Sequence, residues 1–197
     1  MINYLSGKLV VKDPTYVVVD IGGVGYEAKI SLNTFASVKN HDSVKLYTHL
    51  HIKEDAHTLY GFYEPSEKKR FLDLISISGV GPSTGLMILS SLSPEELQQA
   101  IVHDNVPVIQ KVKGIGLKTA QRIVLELKDK MKKEGLLDKS VDISIKFDNT
   151  LRSEALSALT TLGIAKPAAE KSVDLVLKEH GQEIKLEDLI KQALKRA

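Results

Sequence analysis

"KVKGIGLKTAQRIVLELK", residues 111–128, sets two glycines one residue apart directly before a threonine, an arginine and apolar residues at helical spacing. Glycine at such a place answers two physical needs: backbone torsions closed to other residues, and a missing side chain that lets a large anion approach main-chain N–H groups. The helix that follows aims its unpaired N–H groups and positive dipole end at the same point. The tenant suited to that concavity is a phosphate. The pattern also recurs: "ISGVGPSTGLMIL", residues 77–89, aligns with "VKGIGLKTAQRIV", residues 112–124, so that Gly79, Val80 and Gly81 match Gly114, Ile115 and Gly116. In each copy a short helix runs into Gly-aliphatic-Gly and a second helix begins, with the aliphatic residue able to plug the space between the two. One such turn is an ordinary helix end. Two in a pseudo-symmetric pair, with Lys113, Lys118, Thr119 and Arg122 around the second, suit a grip on a sugar-phosphate backbone that reads no base.

Nucleotide-binding loops are excluded by spacing. A P-loop needs glycine immediately before lysine and threonine after a strand, whereas Leu117 stands between Gly116 and Lys118 and the preceding segment reads as helical. Gly79-Val80-Gly81 lacks the third glycine of the dinucleotide fingerprint.

Bulk properties fit a globular DNA binder without announcing one. The 197 residues are 43% hydrophobic and 26% charged, with a net charge of +2. That average hides segregation: residues 111–133 hold eight basic residues against two acidic ones, while residues 141–197 hold nine of each. With no cysteine, thiolate chemistry and Cys-based zinc sites are excluded. No apolar run approaches the roughly 20 residues that span a bilayer, and "MINYLSGKLVVKDP" lacks the plan of a signal peptide, so a cytoplasmic protein with no membrane partner is expected.

The chain changes periodicity twice. "YLSGKLVV", "YVVVDI", "GYEAKI", "SVKLYTHLHI" and "HTLYGFY" read as five short strands, separated by turn signals at Asp13-Pro14, Gly22-Gly23, Asn40–Ser43 and Glu54-Asp55. They suit a small antiparallel barrel, the oligonucleotide-binding (OB) type being one candidate. From Pro65 the pattern is helical, with Ser66 and Ser93 as expected N-caps. Residues 135–149 show no helical period and read as a linker. Three short helices then follow, roughly 149–162, 167–180 and 186–196, with Leu151, Ala155, Leu159, Leu162, Val173, Val176, Leu189 and Leu194 as an apolar stripe closing a small bundle.

The paired hairpins resemble the helix-hairpin-helix fold of DNA repair and recombination proteins, and the whole chain resembles the RuvA family, bacterial subunits that bind Holliday junctions. The motifs that carry this are "GGVGYE" at 22–27, "KEDAHTLYGF" at 53–62, "GVGP" at 79–82, "KGIGLKTAQR" at 113–122 and the terminal bundle. The resemblance implies a multidomain β + α protein: a five-stranded OB-type barrel over 1–63 that tetramerises, a tandem helix-hairpin-helix domain over 64–136, a flexible linker over 137–148, and a three-helix, UBA-like domain over 149–197 that docks the hexameric RuvB ATPase. It implies sequence-independent binding of four-way junctions for branch migration in recombination, DNA repair and the SOS response to DNA damage. Gly79, Gly81, Ser83, Lys113, Gly114, Gly116, Lys118, Thr119 and Arg122 are the DNA-contacting residues it points to. Partners it adds are the RuvC resolvase and further copies of the chain, as a tetramer or, on DNA, an octamer. No Walker motif is present, so ATP hydrolysis belongs to a separate chain, and no cofactor, metal or catalytic residue is expected.

By itself the Glu54-Asp55 turn is a solvated hairpin tip. The resemblance makes it an acidic pin at the centre of the tetramer, where repulsion from phosphate opposes continuous duplex and helps part the strands. Two positions depart from the family pattern: Ser83 and Leu117 stand where relatives often carry lysine, which weakens two phosphate contacts and implies a shallower salt dependence. "HLHIKEDAH", residues 49–57, sets His49, His51 and His57 near the carboxylates, but no second ligand cluster completes a metal site. The rival function is a helix-hairpin-helix repair enzyme. A glycosylase needs a catalytic Lys or Asp soon after the second hairpin, where only helical "RIVLELKDK" follows; a metal-dependent nuclease needs clustered carboxylates, for which Glu54, Asp55 and Asp73 are the candidates.

Overall fold

Alternating β-branched residues build the N-terminal module. The computed structural model describes residues 1–139, 146–180 and 184–196. Five strands, β1 (Tyr4–Lys12), β2 (Tyr16–Ile21), β3 (Val24–Ile30), β4 (Ser43–Ile52) and β5 (His57–Phe62), close into a barrel in the order β1-β2-β3-β5-β4. All neighbours are antiparallel except β3 and β5, paired parallel through Lys29–Tyr60 and Ile30–Gly61. Leu5, Leu9, Val17, Val19, Ala28 and Leu46 alternate inward and fill the interior. A register shift between Leu9 and Val11 marks a bulge that bends β1 around the closure. The expected five-stranded barrel is therefore present.

One barrel element escaped the strand pattern. Helix α1 (Leu32–Val38) lies between β3 and β4, started by Ser31, whose hydroxyl accepts the Thr34 N–H at 3.0 Å.

Five helices follow: α2 (Pro65–Ile75), α3 (Pro82–Ser91), α4 (Pro94–Val102), α5 (Val106–Gln110) and α6 (Leu117–Lys139). Ser93 caps α4 as expected, in a reciprocal capping box with Glu96. Ser66 does not cap α2: Pro65 is already helical and Glu64 is the cap residue, because proline's fixed φ and absent N–H suit the first helical position. Phe71 of α2 stacks against Tyr60 and Phe62 of β5, with ring centroids 5.1 and 4.9 Å apart, so one apolar core runs from the last strand into the helices. Val80 and Ile115, the aliphatic residues of the two glycine turns, are both buried in that core.

The chain divides into two compact units, Met1–Gly135 and Leu136–Ala197. In the second, α7 (Lys146–Thr161), α8 (Lys166–His180) and α9 (Leu186–Leu194) pack around Ala155, Leu159, Ala169, Val173, Val176 and Leu189. Arg152 of α7 holds Asp174 of α8 through two hydrogen bonds of 2.6 and 3.0 Å. Leu162 and Leu194, expected within the closing stripe, are instead 61% and 39% exposed, since both lie at the ends of helices beyond the bundle core. The aperiodic stretch read at 135–149 is narrower than expected, with helix as far as Lys139 and again from Lys146. The middle of the linker expected over 137–148, residues 140–145, lies outside the described residues.

Candidate nucleic-acid interface

The two glycine turns are built bond for bond alike. In the first, the Val80 N–H donates to Ile77 O at 3.0 Å and the Gly85 N–H to Gly81 O at 2.9 Å; in the second, Ile115 donates to Val112 O at 3.0 Å and Ala120 to Gly116 O at 2.9 Å. Gly79 and Gly114 adopt φ of +90° and +86°, the region that disfavours any side chain. The second glycine of each pair has another reason. Gly81 has extended torsions, φ −82° and ψ 170°, and a Cβ at Gly81 or Gly116 would meet nothing within 4 Å. The fold itself does not require glycine at either position. The missing side chains leave the main-chain N–H groups that open α3 and α6 approachable from outside. Neither α3 nor its cap supplies a side-chain partner for those groups.

Chemistry around the turns is unequal. Lys113 and Lys118 flank the second turn and are exposed, with Thr119 half-buried behind them. At the repeat-equivalent positions the first turn carries Ser78, Ser83 and Thr84. Ser83 is exposed, and burial raises the Tyr60 hydroxyl above its ordinary range, with Ser83 partly offsetting it. Arg122 leans across the repeat: its Nη1 donates to Ser78 O of the first turn at 3.1 Å, while its Nε pairs with Glu126 at 3.0 Å. A side chain of α6 thus reaches the first turn. The part of Ser78 in this tie went unread in the sequence, although its alignment with Lys113 in the repeat was the available signal.

Glu54 and Asp55 form an exposed turn between β4 and β5, closed by the Lys53 N–H to Ala56 O bond of 2.8 Å. Asp73 is nowhere available as their metal-binding companion. It is buried in an ion cluster, 3.2 Å from Arg70 Nη1 and paired with Lys130, and Arg70 also reaches Glu134 at 2.7 Å and Gln98 at 3.0 Å. Burial alone raises the Glu134 carboxyl, but hydrogen bonds and charge from Lys69 and Arg70 outweigh it and hold Glu134 below its ordinary range. His49 sits over Phe71 with ring centroids 5.8 Å apart, its pKa lowered by burial and then by His51 and Lys68. Among the described residues no three His, Asp or Glu side chains gather as a metal-binding group.

Three family models divide the chain along these elements. The RuvA N-terminal domain model matches residues 1–61, the SAM-like helix-hairpin-helix tandem model matches 71–129, and the RuvA C-terminal domain model matches 150–197. The chain belongs to the RuvA family. Its RuvA relatives agree over the full length. A protein of Cytophaga hutchinsonii named Holliday junction branch migration complex subunit RuvA is 58% identical over 99% of both chains. Proteins of the same name from Christiangramia forsetii and Amoebophilus asiaticus are 52% and 50% identical, covering 100% and 99% of this chain and all of theirs. In RuvA terms the first model falls on the barrel with its acidic turn, and the tandem model falls on both glycine turns.

Proposed function

We propose that this chain is the non-catalytic DNA-binding subunit of a branch-migration complex. It holds four-way junctions open without reading their sequence and relies on a separate RuvB-type ATPase for movement. The observation that carries the reading is the pair of matched turns at which Gly81 and Gly116 leave open space beside the starts of α3 and α6. Each turn takes a phosphate of a duplex arm, the first through main-chain N–H groups of Gly79, Gly81 and Ser83, the second with Lys113 and Lys118 added. Glu54 and Asp55 act by repulsion at the centre of a homotetramer. Exposed Tyr4, Val10, Val11, Val24 and Ile52 on the barrel support assembly with further copies. Residues 149–197 dock the motor, for which the exposed Leu162, Leu175 and Leu194 are candidates. The nuclease alternative loses its third carboxylate, since Asp73 is neutralised by Arg70 and Lys130.

The test is competition between a four-way junction and linear duplex of the same arm sequences at fixed, near-physiological salt. Strong junction preference is expected, falling when Glu54→Gln and Asp55→Asn are combined while duplex binding rises. Equal binding of both DNAs by the wild type would reduce the chain to a generic helix-hairpin-helix binder. Deleting residues 149–197 is expected to leave junction binding intact and abolish motor-driven migration.

A further inference from the structure

Residues Ser31 to Thr34, at the start of α1, bond without interruption to the helices that follow the barrel. The Ser31 hydroxyl donates to Glu67 Oε1 of α2, and the Thr34 hydroxyl donates to Oε2 at 2.6 Å. The Leu32 N–H donates to the Ser90 hydroxyl at 3.1 Å, and the Asn33 side-chain amide donates to Leu89 O and Leu92 O at 2.6 and 3.1 Å. The joint between barrel and hairpins is therefore a four-residue clamp, gripped by α2 on one side and by the end of α3 on the other.

The polarity of this network is fixed. Ser31 Oγ already accepts the Thr34 N–H, and Thr34 Oγ1 accepts the Tyr63 N–H at 3.1 Å, so each hydroxyl turns its proton toward Glu67. Two committed donors require a group with two acceptors, which a carboxylate supplies and an amide does not. Glu67 is 3% exposed, and the charged groups acting on it are Glu64, at the cap of α2, and Glu95 of α4, both acidic. Aromatic packing around Phe71 holds the same modules together but tolerates small rotations; paired hydrogen bonds do not.

We propose that Glu67 is a positioning residue for junction recognition: through Ser31 and Thr34 it sets the angle between the barrel, which carries the Glu54–Asp55 turn, and the helices that carry the two glycine turns. The proposal rests on the junction-binding reading above. Rotation at this joint moves the acidic turn relative to both phosphate sites, so the loss appears in the choice between junction and duplex, not in the grip on duplex alone. Burial raises the Glu67 carboxyl above its ordinary range, helped by Glu64 and Glu95, while the bonds from Ser31 and Thr34 pull it down.

The experiment measures junction-to-duplex preference of the full chain and of Glu67→Gln at fixed salt and pH. Glutamine keeps the size but turns one acceptor into a donor that meets a committed hydroxyl. The expected result is a preference lowered roughly tenfold with linear-duplex affinity within about twofold of wild type. Should Glu67→Gln not fold, Ser31→Ala leaves the carboxylate and removes one of its donors. Its preference must then fall as well. Wild-type preference retained in Glu67→Gln, or in Ser31→Ala, overturns the inference alone. A wild type without junction preference overturns the junction reading and the inference together.

Discussion

The first and second hairpins share a backbone and differ in nearly every polar side chain around it. Ser78 stands opposite Lys113 in the repeat, Ser83 opposite Lys118, and Met87 opposite Arg122, while the glycines, the plugging aliphatic residue and the turn hydrogen bonds coincide. Main-chain geometry was retained in both copies and charge in one. Under the proposed function, the second hairpin supplies the salt-dependent attraction and the first supplies directional N–H donors with little net charge.

The sharpest way to break this comparison is to remove the charge. Lys113→Ala with Lys118→Ala is expected to weaken duplex and junction binding by about a hundredfold and to lower the slope of log affinity against log salt by about 1.8, two phosphate contacts' worth. An unchanged slope in a salt titration would place the attraction elsewhere. Next in size, Gly81→Ala and Gly116→Ala should each reduce DNA affinity roughly tenfold with an unchanged or slightly raised melting temperature, since neither methyl group meets any protein atom. Unequal losses would show which turn the backbone approaches more closely. Gly79→Ala and Gly114→Ala test the fold instead. At φ near +90° each should cost about 1 kcal/mol in denaturant unfolding, and similarly in the two copies if the turns are equivalent. The smallest effect concerns the ion cluster that ties α2 of the first hairpin to α6 of the second. Glu134, with its pKa held low in the fold, contributes stability above its ordinary range, and that contribution is lost as pH falls through its folded value. Glu134→Gln should therefore lower stability at neutral pH by less than about 1 kcal/mol and flatten the acid side of the pH–stability curve.

Period and punctuation made much of the fold legible. Strands alternate, helices repeat at three-to-four spacing, and the duplicated Gly-aliphatic-Gly marks both turns. The parts that stayed hidden depend on contacts between residues far apart in sequence. Helix α1 is seven residues long and its start, Ser31-Leu32-Asn33-Thr34, is mixed in character, because those residues bond to α2 and α3 and do not simply face a core. Nothing in the local sequence singles out Glu67, whose two donors lie 36 and 33 residues away. Arg122 was legible as a basic residue near the second turn, but not as the side chain that reaches the first. Ser66 was misread because a serine after a proline looks like a cap, and proline took the position first.

Under the proposed function, a hold composed of main-chain N–H groups and two lysines on phosphates also governs how DNA moves. Duplex DNA presents the same phosphates after every base pair, so a shift by one step remakes contacts of the same kind and leaves the bound energy level. Along its track such a protein is a bearing. A motor pulling DNA past it works against a shallow, regular ripple, in which no favoured sequence can stall the journey.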